Sequence, residues 1–179
     1  MTPNKETSKE ESKKKQEKKE TNKTEKPQEK DNNKNNKTEK MNVVIRIKGQ
    51  VGIKRKLVEG LKRLGLNTKY SCVVLKGNQA EKGMLKRLRD YLAYGEISEE
   101  DFKELLEKRS KVVNGNEKKP SSDEIIKGFN KGKKLKEMNI QPVFRLHPPR
   151  KGIKSKQRYP QGVLGYHGEK INELLKRML

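Results

Sequence analysis

Hydrophobic positions are confined to the part of the chain that follows residue 40. Residues 1–40 contain no Val, Ile, Leu, Phe, Tyr or Trp, whereas residues 41–179 carry apolar residues at regular spacings. A segment without such side chains cannot offset the conformational entropy that a chain loses when it becomes ordered. We therefore predict a disordered Lys/Glu/Asn-rich arm over residues 1–40, followed by one modest domain.

The first part of this domain alternates short β-branched runs with helical periods. Residues 41–48 form a β-branched run that is typical of a buried strand. The next apolar residues are spaced four, four and three apart, which places them on one face of a helix. These helix residues are Ile53, Leu57, Leu61 and Leu64. Residues 72–75 and 92–97 predict two further strands, which flank a second helix that Asn78 and Glu81 would cap.

The order strand, helix, strand, helix, strand limits the possible topologies. Strands that are joined by a crossover helix are expected to be parallel or to skip a place in the sheet. The compact solutions are a doubly wound sheet or a split β-α-β layer. Because residues 41–97 number only about sixty, which suits the smaller of these two folds, the split layer is favoured.

Residues 98–179 add an extension of helices, one strand and a long loop. The pattern predicts helices that begin at Ser98 and Ser121, a polar linker at 114–119, a short helix at Leu135, a strand at Phe144 and a final amphipathic helix from Ile171 to Met178. Glu124 completes a capping box with the serine three positions before it. We expect the strand at Phe144 to dock on an edge of the sheet, and the extension to pack on the core as one domain.

A long stretch without acidic residues runs from Pro142 to Gly168. Its basic residues are Arg145, Arg150, Lys151, Lys154, Lys156 and Arg158. The proline pair at 148–149 ends the strand because proline has no backbone donor. The density of charge, with Tyr159 and Tyr166 as stacking faces, indicates a loop fitted against a polyanion. The alternative is a solvated basic loop that has no partner.

The net charge favours the polyanion. The chain has 46 Lys and Arg against 24 Asp and Glu, which gives +22 and a pI near 10.0. The arm at 1–40 holds 13 lysines against 9 acidic residues, so +18 belongs to residues 41–179. Such an excess repels itself, and a nucleic acid would neutralise it. The mixed signs of the arm leave open whether it follows phosphates or serves as a solubilising tail.

Glycines and histidines supply further candidates for phosphate contact. Gly49 and Gly52 precede the first helix, where Lys48, Lys54, Arg55 and Lys56 favour a phosphate at the free helix amides. Three more glycines recur every third residue before the last helix, at Gly162, Gly165 and Gly168, and for them a simple turn and close approach of nucleic acid stay equally open. His147 and His167 are interpreted as loop residues that touch phosphate or solvent rather than as general bases.

Other function classes find no support in the residues. No spacing indicates a catalytic dyad, a cofactor or a metal site, so we predict that the chain is not an enzyme and has no small-molecule substrate. Cys72 has no second cysteine to pair with and is expected to be buried. The chain lacks a run of about eighteen apolar residues and an apolar leader, which predicts a soluble, cytoplasmic protein without a membrane partner.

Several motifs resemble those of one ribosomal protein family. The early motifs are Val43-Val44-Ile45-Arg46, Gly52-Ile53-Lys54, Leu61-Lys62-Arg63-Leu64-Gly65-Leu66, Gly83-Met84-Leu85 and Asp90-Tyr91-Leu92-Ala93-Tyr94-Gly95-Glu96-Ile97. The late motifs are Pro142-Val143-Phe144-Arg145-Leu146-His147-Pro148-Pro149-Arg150, Gly165-Tyr166 through Glu169, and Ile171-Asn172-Glu173-Leu174-Leu175-Lys176-Arg177-Met178. Together they resemble the universal large-subunit ribosomal protein thirty family in its long archaeal form, whose eukaryotic relative carries the number seven. The likeness covers essentially all of residues 41–179.

The resemblance implies an α+β fold: a ferredoxin-like split β-α-β core over 41–97, with the helical extension and the basic loop at 98–179. It also implies a structural constituent of the large ribosomal subunit that binds large-subunit rRNA near the 5S rRNA, beside neighbouring ribosomal proteins. The alternatives are a free-standing RNA-binding translational regulator and a ferredoxin-like domain that binds a small molecule. The predicted RNA-contact residues, from the residue pattern and the resemblance together, are Lys48, Gly52, Lys54, Arg55, Lys56, Arg63, Arg145, His147, Arg150, Lys151, Lys154, Lys156, Arg158, Tyr159, Tyr166 and His167.

Overall fold

The computed structural model describes residues 41–113 and 120–179. The predicted arm at 1–40 and the predicted linker at 114–119 lie outside the described residues. The strands are β1 (Asn42–Arg46), β2 (Ser71–Leu75), β3 (Leu92–Glu96), β4 (Val143–Arg145) and β5 (Gly165–Tyr166). The α-helices are α1 (Arg55–Arg63), α2 (Gln79–Leu88), α3 (Glu99–Arg109), α4 (Ser122–Asn130) and α5 (Ile171–Lys176). Short 3-10 helices cover Leu135–Met138 and Gly168–Lys170.

The described residues form a five-stranded sheet in the order β4-β2-β1-β3-β5. Strand β1 lies in the middle and is antiparallel to both β2 and β3. Strands β2 and β3 are therefore parallel to each other, are joined by α2, and have β1 between them. This arrangement is a split β-α-β unit, so the predicted α+β class and its split layer are confirmed.

One topological expectation was wrong. Strands β1 and β2 are joined by α1, yet they are adjacent and antiparallel, with Ile45 opposite Cys72. The connection returns the chain to the end of the sheet that it left. The hydrogen bond from the Tyr70 amide to the Arg46 carbonyl, at 2.8 Å, joins the start of β2 to the end of β1. The rule that helix-joined strands are parallel or skip a place therefore holds for β2 and β3 but not for β1 and β2.

Helices cover both faces of the sheet. Val43 and Ile45 belong to the apolar cluster that includes side chains of α3, α4 and α5, whereas Val44 belongs to the cluster formed with α1 and α2. Successive side chains of a strand point to opposite faces, so a strand covered on both faces is apolar throughout. This explains why the middle of β1, residues 43–45, is an unbroken apolar run. The first cluster contains side chains from both 41–97 and 98–179, which supports the proposal that the two parts fold as one domain.

The two outer strands decide where the basic stretch lies. Phe144 is fully buried in β4, and β4 occupies the edge next to β2, which confirms the predicted docking. Strand β5 occupies the opposite edge and is parallel to β3. Residues 146–164, which we call the basic loop, join these two edges. Arg145 pairs with Ser71, and Gly165 with Ala93, so the basic loop begins and ends near the sheet end at which β1 finishes.

Candidate nucleic-acid interface

Two basic stretches meet at this end of the sheet. The β1–α1 loop, residues 47–54, leaves β1 there, and the basic loop crosses from edge to edge. The turn between α2 and β3 links them: the Lys48 amide donates to the Tyr91 carbonyl at 3.2 Å, and the neighbouring Asp90 binds Arg158. The structure thus brings together two groups of predicted residues that are about a hundred positions apart in the sequence.

The β1–α1 loop is held from inside by Arg46. This side chain is only 2% exposed, and its guanidinium donates to the carbonyl oxygens of Lys48, Gly49, Leu66 and Asn67 at 2.7–3.0 Å. Burial lowers the pKa of Arg46, because the charged form loses hydration. The sequence analysis did not single out this residue. A charged side chain within an apolar β-branched run was the signal that could have identified it.

The anchored loop presents a projecting, basic surface. Val51 at its tip is fully exposed, and Gly52 has a φ of 75°, a conformation that favours glycine. Helix α1 begins directly after it without a side-chain cap and without an acidic residue in its first turn. Its free first-turn amides, together with Lys54 and Lys56, could receive a phosphate oxygen. Arg55 lies in the same turn, and its Nε is 3.6 Å from a carboxylate oxygen of Glu59. This ion pair makes Arg55 less available to a phosphate than Lys54 and Lys56.

The first half of the basic loop is fixed on the end of α5. The His147 amide donates to the Met178 carbonyl, and the Arg150 amide donates to the Arg177 carbonyl. In return the Arg177 guanidinium donates to the carbonyls of Arg150 and Gly152, at 2.7–3.0 Å. Hydrogen bonds to residues 177 and 178 therefore order the backbone of this part of the loop. The side chains that remain exposed are those of His147, Arg150, Lys151, Lys154 and Lys156.

Arg158 differs from the other loop cations because it has a partner within the protein. Its guanidinium donates to both carboxylate oxygens of Asp90, at 2.7 and 3.2 Å. The hydrogen bond from Arg158 is the main reason that the pKa of Asp90 lies below its ordinary value. In this arrangement Arg158 ties the second half of the basic loop to the turn before β3.

Tyr159 and His167 face each other rather than solvent alone. Their ring centroids are 4.5 Å apart, both side chains are partly buried, and a His167 ring nitrogen is 2.9 Å from the Val163 carbonyl oxygen. Burial lowers the pKa of His167, which disfavours the charged form of the ring. Neither side chain is presented as a free stacking face or a free cation.

Tyr166 does present an exposed ring, and it has an aromatic neighbour that the sequence analysis missed. Tyr166 in β5 is 53% exposed and lies opposite Tyr94 in β3, with ring centroids 5.7 Å apart. The Tyr166 hydroxyl donates to Glu96 at 3.3 Å. Because the pairing joins residues 72 positions apart, no local pattern could have identified Tyr94.

Two predicted residues lie outside the β1–α1 loop and the basic loop. Arg63 is in the last turn of α1, about 12 Å along the helix axis from Arg55 at its start. There its charge also complements the carbonyl end of the helix dipole. Arg145 is exposed on the edge strand β4 and lines a separate pocket beside the end of α3.

The described part of the chain offers no group of side chains for a metal ion, and its cysteine is buried. Within residues 41–113 and 120–179, no three His, Cys, Asp or Glu side chains are grouped so that they could hold a metal ion. Cys72 is buried as predicted, and burial raises the pKa of its thiol, which leaves it unreactive. Over the same residues, every helix is too short or too polar to cross a bilayer.

Comparison with known proteins identifies the family. Residues 43–92 match the family model described as Ribosomal protein L30p/L7e. The chain is 44% identical to the large ribosomal subunit protein uL30 of Archaeoglobus fulgidus over 152 residues, which cover 77% of this chain and 99% of that protein. Its identity to the uL30 of Staphylothermus marinus is 40%, covering 76% of this chain and 96% of the relative. For the uL30 of Methanosphaera stadtmanae the identity is 36%, with 78% of this chain and 100% of the relative covered.

These relatives match over almost their whole length, and the matches take in the extension as well as the core. The motifs of Met41–Ile97 and of the late segments were therefore interpreted correctly, and a ribosomal protein family agrees with the prediction that the chain is not an enzyme. The chain belongs to the ribosomal protein L30p/L7e family.

Proposed function

We propose that this protein is a structural constituent of the large ribosomal subunit that holds rRNA through phosphate and shape contacts. The observation that carries the proposal is the acid-free basic loop, which is ordered against the same end of the sheet as the basic start of α1. Membership in the L30p/L7e family supplies the class of partner.

The exposed cations at this end of the sheet bind backbone phosphates. They are Lys54, Arg55 and Lys56 with the Gly52 turn, and His147, Arg150, Lys151, Lys154 and Lys156 of the basic loop. Lys48 is partly buried, with its amine 5.6 Å from the centre of the Tyr91 ring, and it adds its charge at the edge of this surface. Double-stranded RNA hides its base edges in a deep, narrow groove, so lysines and arginines on protruding loops read its backbone and shape. The positive charge of the protein makes this binding strongly dependent on salt.

Tyr166 is the residue suited to contact a base. Its exposed ring, supported from the side by Tyr94, offers a flat surface on which an unstacked base can lie. Tyr159 and His167 support the loop that leads to this surface, and Arg158 ties the same loop to Asp90. Arg63 and Arg145 lie outside the two loops and contact RNA that extends beyond them.

The finer location follows the family resemblance. Within the large subunit the protein would lie near the 5S rRNA, beside other ribosomal proteins, in the cytoplasmic ribosome. Crosslinking in cells followed by sequencing of the attached RNA maps this position. Reads that gather at one or two large-subunit rRNA sites support the proposal, whereas reads scattered over messenger RNAs would replace it with the free-standing translational regulator.

A loop variant tests the interface directly. Arg150, Lys151, Lys154 and Lys156 are changed together to Gln, and the matched control carries Gln at four exposed lysines of the extension: Lys127, Lys131, Lys133 and Lys136. Both variants remove the same charge. The dependence of log binding constant on log salt should flatten by about 0.7 to 0.9 for each phosphate that the protein ceases to neutralise, and only in the loop variant. Equal slopes in loop variant, control and parent protein would contradict the assignment of the loop.

A further inference from the structure

A second basic surface lies beside the outer edge of β4. A pocket of about 360 Å³ is formed where the end of α3 approaches the start of β4. We call it the β4-edge pocket. The side chains that carry the argument are Lys108, Arg109, Ser110, Lys111 and Arg145, all of which line it. Of these, the sequence analysis predicted only Arg145.

The lining of the pocket is basic, and no carboxylate contributes to it. Lys108 forms an ion pair with Glu104 at 2.6 Å. Among the ion pairs found between described side chains, none involves Lys111 or Arg145. Arg109 is held at an oxygen of Leu179, whereas Lys111 and Arg145 are like charges on one concave surface that repel each other, and an anion in the pocket would relieve that repulsion.

Two polar atoms at the pocket are buried without a hydrogen-bond partner: Arg109 Nε and Ser110 Oγ. A buried donor that has neither water nor a protein acceptor lowers stability, and such groups are unusual in folded proteins. Both belong to residues that line the pocket, but the atoms themselves are buried behind its surface, so an oxygen-rich anion seated there supplies the missing acceptors only if these side chains turn toward it. Phosphate is such an anion, and arginine binds it through paired N–H donors.

The pocket and the basic loop are held by the same short segment of chain. Arg109 donates from its guanidinium to the Leu179 carbonyl at 2.7 Å, which orients the side chain. Two residues earlier, Arg177 holds the carbonyls of Arg150 and Gly152 in the basic loop. Residues 177–179 therefore fix both surfaces, so RNA that follows the basic loop could continue along the edge of β4.

A protein strand is the other candidate for this edge. The Leu146 amide donates to the Tyr70 carbonyl, so the backbone groups of the alternate residues Val143 and Arg145 point away from β2. Edge strands of this kind can pair with a strand of another protein. Strand β4 has only three residues and offers few such bonds, whereas the cationic lining is extensive. The charge therefore favours RNA.

We propose that the β4-edge pocket binds a backbone phosphate of large-subunit rRNA, as a contact separate from the basic loop. This inference rests on the proposed function, because it takes the same RNA as its partner. It adds Arg109, Ser110 and Lys111 to the interface and specifies that Arg145 acts together with them.

The test uses the full chain, purified large-subunit rRNA and a double variant, Lys111→Gln with Arg145→Gln. Both side chains are exposed, so the fold should be retained, which circular dichroism verifies. The salt slope should fall by about 0.7 to 1.8, equivalent to one or two phosphate contacts. The matched control, Lys133→Gln with Lys136→Gln, should keep the slope of the parent protein. Adding the loop variant to the pocket variant should add the two decreases, because separate contacts are additive.

The outcomes separate this inference from the proposed function. If the loop variant lowers the slope and the pocket variant does not, the pocket is overturned and the proposed function stands. If the parent protein itself fails to bind the rRNA, both are overturned. Ultraviolet crosslinking of intact large subunits with mass spectrometry gives a second measurement. A nucleotide attached within residues 108–111 or 141–145 supports the pocket, whereas contact of these residues with an acidic segment of another protein overturns it.

Discussion

Arg158 and Asp90 are 68 positions apart in the sequence, yet two hydrogen bonds join the guanidinium of one to the carboxylate of the other. This pair connects the basic loop to the turn between α2 and β3, which in turn holds Lys48 of the β1–α1 loop through Tyr91. The sequence analysis predicted Arg158 as an RNA contact. In the free protein Arg158 also holds the basic loop, which carries the other predicted contacts, against Asp90.

Breaking this pair should loosen the loop without unfolding the protein. Because both side chains are about half exposed, Asp90→Asn should lower the free energy of unfolding by no more than about 1 kcal/mol. Hydrogen exchange of residues 153–164 should nevertheless accelerate. Lys154→Gln is the control, since it removes a loop charge without a described ion pair. Unchanged exchange in Asp90→Asn would show that the pair does not hold the loop.

The same pair gives a pH dependence of known sign. The pKa of Asp90 is lowered in the folded protein, so its stabilising contribution is present above the ordinary value of 3.8 and is lost as the pH falls through the folded pKa. Loop exchange, corrected for the intrinsic rate, should therefore rise below about pH 4 in the parent protein. In Asp90→Asn the loop should show no such transition.

Removing the buried guanidinium of Arg46 should be severe. In Arg46→Met the carbonyls of Lys48, Gly49, Leu66 and Asn67 would be left without their donors in a low-dielectric site. We expect the free energy of unfolding, measured by urea denaturation, to fall by about 3–5 kcal/mol. Exposed Arg63 changed to Met should alter it by less than about 0.5 kcal/mol. Similar midpoints for the two variants would refute a structural role for Arg46.

Two glycine-to-alanine changes should act in opposite directions. A Cβ at Gly95 in β3 would clash with the Gly168 carbonyl oxygen and lie 3.0 Å from the Ile171 side chain, so Gly95→Ala must displace the start of α5. We expect a cost of about 1–3 kcal/mol. A Cβ at Gly83, within α2, meets nothing within 4 Å, and Gly83→Ala should stabilise the protein by about 0.5–1 kcal/mol. Thermal denaturation distinguishes the signs, and a neutral Gly95→Ala would contradict the close approach of β3 to Gly168.

The exposed ring of Tyr166 should contribute to RNA affinity independently of salt. Loss of one base–aromatic stack in Tyr166→Ala should weaken rRNA binding by about 1–3 kcal/mol while the salt slope stays constant. Tyr166→Phe keeps the ring and removes only the hydroxyl that donates to Glu96, so it should bind nearly as the parent protein does. Filter binding at several salt concentrations measures both quantities. Equal weakening in the Phe and Ala variants would assign the effect to the hydroxyl instead.

The sequence analysis predicted most of the helices and strands because those signals are local, but it missed β5 (Gly165–Tyr166), which lies in the stretch interpreted as a loop. Helix α3 begins after Ser98, whose hydroxyl accepts from the Asp101 amide, and α4 begins at the reciprocal pair of Ser121 and Glu124. Such caps lie within four residues of chain and require no knowledge of the tertiary fold. The edge position of the strand at Phe144 was also correct.

Pairing between distant residues could not be predicted in the same way. The antiparallel contact of β1 with β2 depends on how α1 packs, and the expectation drawn from crossover rules was wrong there. Arg46, Tyr94 and the Arg158–Asp90 pair acquire their roles through partners that are 20 to 72 positions away. Periodicity carries no information about contacts at that range.

The sequence by itself determined the class of protein, its elements and its basic character, because charge density, apolar period and capping residues act locally and without regard to the final fold. Only the tertiary structure decided which cations share a surface. It placed the β1–α1 loop and the basic loop at one end of the sheet, tied Arg158 and His167 to internal partners, and set Arg145 beside Arg109 and Lys111. The physical reason is that a binding surface is defined by distances in space, and strand register sets those distances.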